Sequence, residues 1–198
     1  MKIEDNFLDQ KEFDNLQKRL MGDDFAWFYT DGIDYGIEDS NGVWSFPEEG
    51  DKNKFQFIHM FYTKATPCSP HYKELLPIFE RIQLVSLWCI KANLLTKTHN
   101  IVENLFHIDM QSNLTGDKLK QWTTSIFYVN TNNGYTKFED GTKVKSVANK
   151  MVIFPANIKH AGTSCTDQKR RIVINFNYLN HSFHNHQSMF VIFFMLSI

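Results

Sequence analysis

The spacing of apolar residues changes near residue 84 and divides the chain into two parts. In the first part, the segment LDQKEFDNLQKRL carries apolar residues at roughly helical spacing: Leu8, Phe13, Leu16 and Leu20. Asp9 is available as an N-cap, with Glu12 three residues later. This pattern predicts a first helix.

A second helix is predicted from Ser69 and Pro70 through YKELLPIFERI, with the serine as cap and the proline in the first turn. Pro77 must kink or interrupt it, because proline lacks the N–H that the helix needs. Between the two helices, FYTDGIDYGIEDSNGVWSFPEEGDKNK is rich in Gly, Asp and Asn and predicts loops and short extended pieces. Its aromatic residues either line a surface groove or pack the loop onto the core.

After residue 84 the chain consists of short β-branched and aromatic runs separated by turn sequences such as NTNNG and EDG. The predicted strands are LVSLWCIKANLL, NLFHIDM, WTTSIFYVN, YTKF, TKVKSVA, KMVIFPA and RRIVINFNYL. Strands at this spacing indicate a sandwich or barrel. The predicted fold class is α+β, with N-terminal helices buttressing one sheet of a mainly antiparallel β core.

Size and charge limit the domain count and the partners. The chain has 198 residues, of which 42% are apolar and 15% aromatic, which is enough for one sizeable core. We expect a single domain over residues 1–180. A formal net charge of −1 provides no basic field, so neither nucleic acid nor an anionic membrane is expected as a partner.

Residues 181–198 are predicted to form a separate C-terminal tail of unknown role. The tail contains the histidine-rich NHSFHNHQ and the apolar run MFVIFFMLSI. This run is far shorter than the roughly 20 residues needed to span a bilayer. Solvation of the tail, packing across the sheet and self-association all remain open.

The three cysteines, Cys68, Cys89 and Cys165, are odd in number and show no paired spacing. This argues against a disulfide framework or a structural zinc site and predicts free thiols in a reducing compartment. Cys89 lies in the apolar run LWCI and is expected in the core. The N-terminus MKIEDNFLDQ carries charges where a signal peptide is apolar, so a cytoplasmic location is expected.

Candidate metal chemistry begins at ENLFHIDMQS, where His107 and Asp109 interrupt an apolar run. On a strand, side chains at i and i+2 share a face, so these two groups are predicted to project together. Such a pair is costly to bury unless it is hydrogen-bonded or holds a cation. Taken alone, the HxD pattern is also common as a surface-facing polar pair.

Two further residues make the pattern more specific. His160 comes 51 residues after Asp109, in FPANIKHAGTS, and Arg171 comes 11 residues after His160 at the start of RIVINFNYL. Two neutral imidazoles and one carboxylate form a three-point facial site, which suits a non-haem Fe(II) with open positions. A structural zinc site would require four protein ligands, preferably with sulfur.

This order of residues resembles the Fe(II)/2-oxoglutarate-dependent dioxygenases, and most closely their prolyl 4-hydroxylase-like branch, including small versions encoded by bacteriophages and marine microbes. The likeness lies in FHIDM, TTSIFYVNTNNGYTKFEDGTKV, MVIFPANIKHAGTS and RRIVINFNY, over about residues 84 to 179. It implies a double-stranded β-helix (jelly-roll, cupin-like) core. It also implies that His107, Asp109 and His160 ligate iron, with each histidine donating a hydrogen bond from its other ring nitrogen.

The resemblance further implies that Arg171 binds the distal carboxylate of 2-oxoglutarate. Arg170 is the rival, but strand alternation places it on the other face, with the apolar residues. Tyr128 matches a position at which related hydroxylases place a hydroxyl on the same carboxylate, although a core tyrosine fits as well. Thr136, in a GYTKF segment similar to the family's GGxTxF, and Asn93 are expected in the pocket wall.

The implied activity is hydroxylation coupled to decarboxylation of 2-oxoglutarate to succinate and CO2, with Fe(II) and O2 required and ascorbate as a further candidate cofactor. The approach KANLLTKTHNIVENLFHID lacks the Tyr/Gly-rich pattern common in prolyl hydroxylases. The substrate is therefore unidentified, with a protein side chain such as proline favoured over a small molecule. The alternatives are a non-catalytic cupin-like metal-binding protein and a nucleic-acid base oxygenase or demethylase.

Overall fold

The computed structural model describes residues 1–33, 37–38, 44–45, 54–110 and 116–180. Three α-helices lie in these ranges: α1 (Gln10–Met21), α2 (Leu76–Arg81) and the short α3 (Gly116–Leu119). A 3-10 turn, Tyr72–Leu75, leads directly into α2. The tail, residues 181–198, lies outside the described residues, so its predicted behaviour stays a prediction.

Strands make up most of the regular secondary structure in the described residues. In the first half they are β1 (Lys2–Glu4), β2 (Phe28–Thr30), β3 (Ile37–Glu38), β4 (Trp44–Ser45), β5 (Gln56–Thr63) and β6 (Thr66–Pro67). In the second half they are β7 (Leu84–Thr96), β8 (Thr123–Tyr128), β9 (Tyr135–Phe138), β10 (Lys143–Lys145), β11 (Lys150–Pro155), β12 (His160–Gly162) and β13 (Arg170–Asn180).

A major sheet contains eight of these strands in the order β1-β11-β8-β13-β7-β5-β2, with β6 paired to β5. All of its pairings are antiparallel, and β13 runs in its centre between β7 and β8. A minor sheet of three strands has the order β10-β9-β12, and β3 and β4 pair separately.

The two faces of β13 have different environments, as the alternation in RRIVINFNYL predicts. The face that carries Ile172, Ile174 and Phe176 packs in the main core, together with apolar residues of α1 and α2. The opposite face carries Val173, which packs in a second cluster between the major and minor sheets. Helices therefore buttress one face of the major sheet and leave the other face for the site.

The predicted α+β class with a double-stranded β-helix core and N-terminal helices is confirmed by this architecture and by the structural matches described below. The structure also contains β1 and β5, which the sequence analysis does not predict. Strand β1 pairs with β11, with Ile3 opposite Val152, and β5 extends the major sheet beyond β7.

Three local predictions are corrected. The segment NLFHIDM is not a regular strand, because only isolated bridges at Glu103 and His107 tie it to the segment around β12. The second helical segment begins with the 3-10 turn at Tyr72 rather than at Ser69 and Pro70, and its α-helical part, α2, begins at Leu76. Pro77 lies in the first turn of α2, where its missing N–H costs no helical hydrogen bond, so it starts a helix rather than kinking one.

Two smaller results concern helix capping and membrane contact. Asp9 occupies the N-cap position of α1, but its side chain makes no capping hydrogen bond; the backbone N–H of Phe13 donates to the Asp9 carbonyl. Within the described ranges, none of the helices has the length and apolar character needed to span a membrane.

Candidate metal centre

His107, Asp109 and His160 come together in the lining of one cavity. Nε2 of His107 lies 3.5 Å from Oδ1 of Asp109, and Nε2 of His160 lies 3.7 Å from the same oxygen. One potential ligand atom from each residue lies within 4.8 Å of the other two. The three side chains that the sequence singles out therefore converge on one point.

Backbone pairing explains how residues so far apart in the chain meet. The N–H of His107 donates to the carbonyl of His160, and the N–H of His160 donates to the carbonyl of His107, each at 3.0 Å. A hydrogen-bonded antiparallel pair of this kind places both side chains on one side. Their ring centroids lie 4.9 Å apart.

The second ring nitrogen of each histidine faces a backbone carbonyl. Nδ1 of His107 lies 3.0 Å from the Leu105 carbonyl, and Nδ1 of His160 lies 3.5 Å from the Ile158 carbonyl. A carbonyl only accepts, so Nδ1 carries the proton in the neutral ring and Nε2 keeps its lone pair. The sequence analysis expects a hydrogen-bond acceptor for each of the two histidines, and these acceptors are the carbonyls of Leu105 and Ile158.

The electrostatics favour an ionised Asp109 carboxylate beside two imidazoles whose pKa values shift in opposite directions. Burial alone would raise the pKa of Asp109, but the adjacent imidazoles of His160 and His107 hold that pKa well below its usual range. Burial lowers the pKa of His160. Burial also acts to lower the pKa of His107, but its contact with Asp109 outweighs this effect and raises that pKa.

The donor set fits a divalent metal ion. Nε2 of His160 is buried and has no hydrogen-bond partner, although a buried polar atom is normally paired. A metal ion bound by both Nε2 atoms and Oδ1 of Asp109 would satisfy it. Two nitrogens and one carboxylate oxygen match the ligand set of non-haem Fe(II) sites that keep open positions.

The same cavity contains the guanidinium of Arg171, which is only 3% exposed. Its Nε donates to Oγ of Ser146 at 2.8 Å, and its Nη2 donates to Oγ1 of Thr136 at 3.3 Å. Burial lowers its pKa, yet an arginine stays protonated in proteins. Within the described part of the chain no carboxylate forms an ion pair with it, so the cavity contains a buried cation without an anionic partner.

The remaining predicted site residues lie close to Arg171 or along the cavity wall. Thr136 and Asn93 line the cavity. Tyr128 is fully buried in the cluster between the sheets, where its hydroxyl donates to Oγ1 of Thr136 at 2.8 Å. Its ring lies 5.8 Å from the guanidinium carbon of Arg171. Arg170, on the other face of β13, donates from Nη2 to the Met21 carbonyl at 2.6 Å.

The structure adds cavity residues that the sequence analysis does not assign individually. Lys91 and Leu95 lie on β7 at two-residue spacing from Asn93, and Asn175 lies on β13. The alternation that selects Asn93 would also have selected Lys91 and Leu95. Asn104 precedes the HxD segment and has no such signal, because only the fold brings it to the cavity.

No protein-family model matches the sequence, and no curated protein matches it at a significant level. Solved structures do match the fold. A prolyl-4-hydroxylase from Pseudomonas putida superposes with a TM-score of 0.54 and 13% identity, over 90% of this chain and 91% of that chain. A second match is a prolyl hydroxylase from Trichoplax adhaerens, solved in complex with a hypoxia inducible factor oxygen degradation domain peptide fragment. It gives a TM-score of 0.55 and 14% identity, over 90% of this chain and 83% of that chain.

The non-haem α-ketoglutarate-dependent carbocyclase SnoK from nogalamycin biosynthesis gives a TM-score of 0.59 with 9% identity, over 90% of this chain and 78% of that chain. Identities of 9% to 14% establish likeness of fold alone. The chain has the fold of the prolyl hydroxylases and of the non-haem α-ketoglutarate-dependent (2-oxoglutarate-dependent) enzymes.

Proposed function

We propose that the protein is an Fe(II)- and 2-oxoglutarate-dependent dioxygenase that hydroxylates its substrate. One observation carries this proposal: a single cavity contains three convergent metal-ligand atoms and a buried arginine that has no anionic partner among the residues the structure describes. A protein that only binds a metal requires the ligand atoms but not the buried arginine. A buried cation in the same cavity calls for an anion, and a dicarboxylate that chelates the metal would supply one.

The metal ligands have clear individual roles. Nε2 of His107 and Nε2 of His160 donate lone pairs, and Oδ1 of Asp109 contributes negative charge. The carbonyls of Leu105 and Ile158 hold both rings in the orientation that presents Nε2. When bound, Fe(II) with 2-oxoglutarate and O2 supplies the oxidising chemistry, in which decarboxylation to succinate and CO2 accompanies hydroxylation of a C–H bond.

Arg171 is the proposed anchor for the distal carboxylate of 2-oxoglutarate. Ser146 and Thr136 fix the guanidinium from one side, so little conformational freedom remains to be lost when an anion binds. The Tyr128 hydroxyl donates its hydrogen bond to Oγ1 of Thr136. Tyr128 is therefore proposed to act on the carboxylate by orienting that threonine. Asn93 is proposed as a contact in the cavity wall.

The favoured substrate is a protein side chain such as proline, and a small molecule is the second candidate. The Trichoplax enzyme was solved with a peptide bound, and this property of that protein supports the proposal of a peptide substrate here. A net charge of −1 gives no support for a nucleic-acid substrate. Ascorbate as an auxiliary reductant, a cytoplasmic location and a single domain over residues 1–180 are parts of the same proposal.

The decisive experiment is a screen of peptides, amino acids and nucleotides for substrate-stimulated succinate release, with Fe(II), 2-oxoglutarate and O2 present. We expect metal-dependent succinate formation that at least one class of compound stimulates, with no release by Asp109→Ala. Protein that binds Fe(II) but neither binds nor decarboxylates 2-oxoglutarate would identify a non-catalytic metal-binding barrel instead.

A further inference from the structure

Asn175 connects the cavity wall to one of the metal ligands. It lies on the cavity face of β13, directly opposite Lys91 of β7 and Ile126 of β8. Its side chain lines the cavity and is 8% exposed. Its Nδ2 donates to Oδ2 of Asp109 at 3.0 Å. Among the residues the structure describes, this amide is the only polar side chain that hydrogen-bonds Oδ2 of Asp109.

The chemistry of the two partners fixes the orientation of the amide. An ionised carboxylate only accepts hydrogen bonds, so the NH2 end of Asn175 must face Asp109. The Asn175 Oδ1 atom then points away from Asp109, and it is buried without a hydrogen-bond partner. The side chain therefore leaves an acceptor unpaired in order to hold the carboxylate, although a buried unpaired acceptor is unfavourable.

The hydrogen bond gives the two carboxylate oxygens of Asp109 different surroundings. Oδ2 is occupied by Asn175, whereas Oδ1 lies 3.5 and 3.7 Å from the two histidine Nε2 atoms. We propose that Asn175 is a positioning residue for the metal centre, which holds Asp109 so that it binds a metal through Oδ1 alone. This inference rests on the metal site of the proposed function. Ligation through one oxygen leaves more of the metal's coordination positions open for other ligands.

Asn177 provides a matched control two residues further along β13. It has the same residue type, lies on the same strand face and is 4% exposed. Its Oδ1 accepts a hydrogen bond from Oγ1 of Thr124 at 2.8 Å, so its partner is a core hydroxyl and not a metal ligand. Loss of packing or strand propensity affects both asparagines, but loss of contact with Asp109 affects only Asn175.

The experiment compares Asn175→Ala, Asn175→Leu and Asn177→Ala with the wild-type protein. Leucine has the same branched arrangement of four side-chain heavy atoms as asparagine but is larger, so Asn175→Leu removes the amide without creating a cavity. Circular dichroism reports folding, anaerobic calorimetry with Mn(II) reports affinity, and visible absorption of the Co(II) form reports coordination number. We expect both Asn175 variants to bind Mn(II) about 10- to 100-fold more weakly, with an altered Co(II) spectrum. Asn177→Ala should bind Mn(II) as the wild type does, with an unchanged spectrum.

Three results would overturn the inference. Folded Asn175 variants with wild-type Mn(II) affinity and Co(II) spectrum would show that the hydrogen bond has no influence on the metal. Normal binding by Asn175→Leu with weak binding by Asn175→Ala would assign the effect to packing. An equal loss in Asn177→Ala would assign it to the strand. Failure of the wild-type protein to bind either ion is distinguishable from these results, because it removes the metal site of the proposed function itself.

Discussion

His107 and His160 exchange both of their backbone hydrogen bonds, N–H to carbonyl in each direction, at 3.0 Å. The pair joins the irregular segment that carries HxD to β12, and in the described residues this segment forms isolated bridges rather than a longer run of strand pairing. The position of one candidate ligand is therefore set directly by the other. A metal ion bound to both rings would connect the same two segments a second time, through the side chains.

A first prediction follows from this link. Mn(II), used as a redox-stable substitute for Fe(II), should raise the unfolding temperature, because a ligand that binds only the folded state stabilises it. At a free concentration 100 times the Kd the expected stabilisation is about 2.7 kcal/mol. Thermal unfolding followed by circular dichroism measures the shift. Asp109→Ala should fold without metal but show no shift, and a full shift in that variant would contradict the assignment of Asp109 as a ligand.

A second prediction distinguishes the two neighbouring arginines. Arg171→Ala should weaken 2-oxoglutarate binding by at least about tenfold, since a hydrogen bond to a charged group contributes about 1.5–3 kcal/mol. Arg170→Ala should leave that affinity nearly unchanged, because Arg170 faces α1 and bonds the Met21 carbonyl. Anaerobic calorimetry with 2-oxoglutarate on the Mn(II)-loaded proteins measures both. Equal behaviour of the two variants would contradict the proposed role of Arg171, and Mn(II) affinity should hardly change in either.

Strand alternation explains why so much of the site is predictable from sequence. In RRIVINFNYL, a period of two separates Arg171 from Arg170, and the structure places the former in the cavity and the latter against α1. Local pattern suffices here because β13 is long, central and buried on both faces. His160 is similarly readable, since it follows the strand KMVIFP closely.

Contacts between distant segments could not be predicted in the same way. The HxD segment has strand-like composition, yet its pairing is limited to isolated bridges that depend on where β12 lies. Strand β1 is three residues long and gains its structure from pairing with β11, about 150 positions away. The contact between Asn175 and Asp109 likewise arises only when two segments without any shared pattern are brought together.

A third prediction concerns the cysteines, which are all free in the structure, as expected. Cys68 is exposed, Cys165 is buried, and the half-buried Cys89 has its pKa raised to about 11 by burial. The thiolate is the reactive form, so a raised pKa suppresses alkylation near pH 8. Brief iodoacetamide treatment of native protein without reductant should therefore label Cys68 alone, as measured by peptide mass spectrometry. Detection of an intramolecular disulfide, or rapid labelling of Cys89, would contradict this.

The last prediction uses a glycine to test how precisely Arg171 must be placed. A Cβ added at Gly134 would lie 2.8 Å from Cδ of Arg171 and 2.7 Å from the backbone carbonyl oxygen of Ser164. The added Cβ would also lie 2.8 Å from Oδ1 of Asn132, and all three distances are too short for real contacts. Because the carbonyl belongs to the backbone, the chain at Gly134 must shift, and the Arg171 side chain must move with it. The Gly134 carbonyl also accepts the N–H of Ser146, whose hydroxyl binds Arg171.

Gly134→Ala should therefore weaken 2-oxoglutarate binding about tenfold or more and lower stability by about 1–3 kcal/mol, the usual cost of overpacking a core. Mn(II) affinity should be retained, because the three atoms nearest to the added Cβ belong to Ser164, Arg171 and Asn132 and not to a proposed metal ligand. Gly116→Ala is the control, since a Cβ there meets no atom within 4 Å. Calorimetry and urea unfolding test both variants. If Gly134→Ala binds 2-oxoglutarate as tightly as Gly116→Ala does, the affinity does not depend on where this guanidinium is held, and the expectation that Arg171 must be precisely placed is wrong.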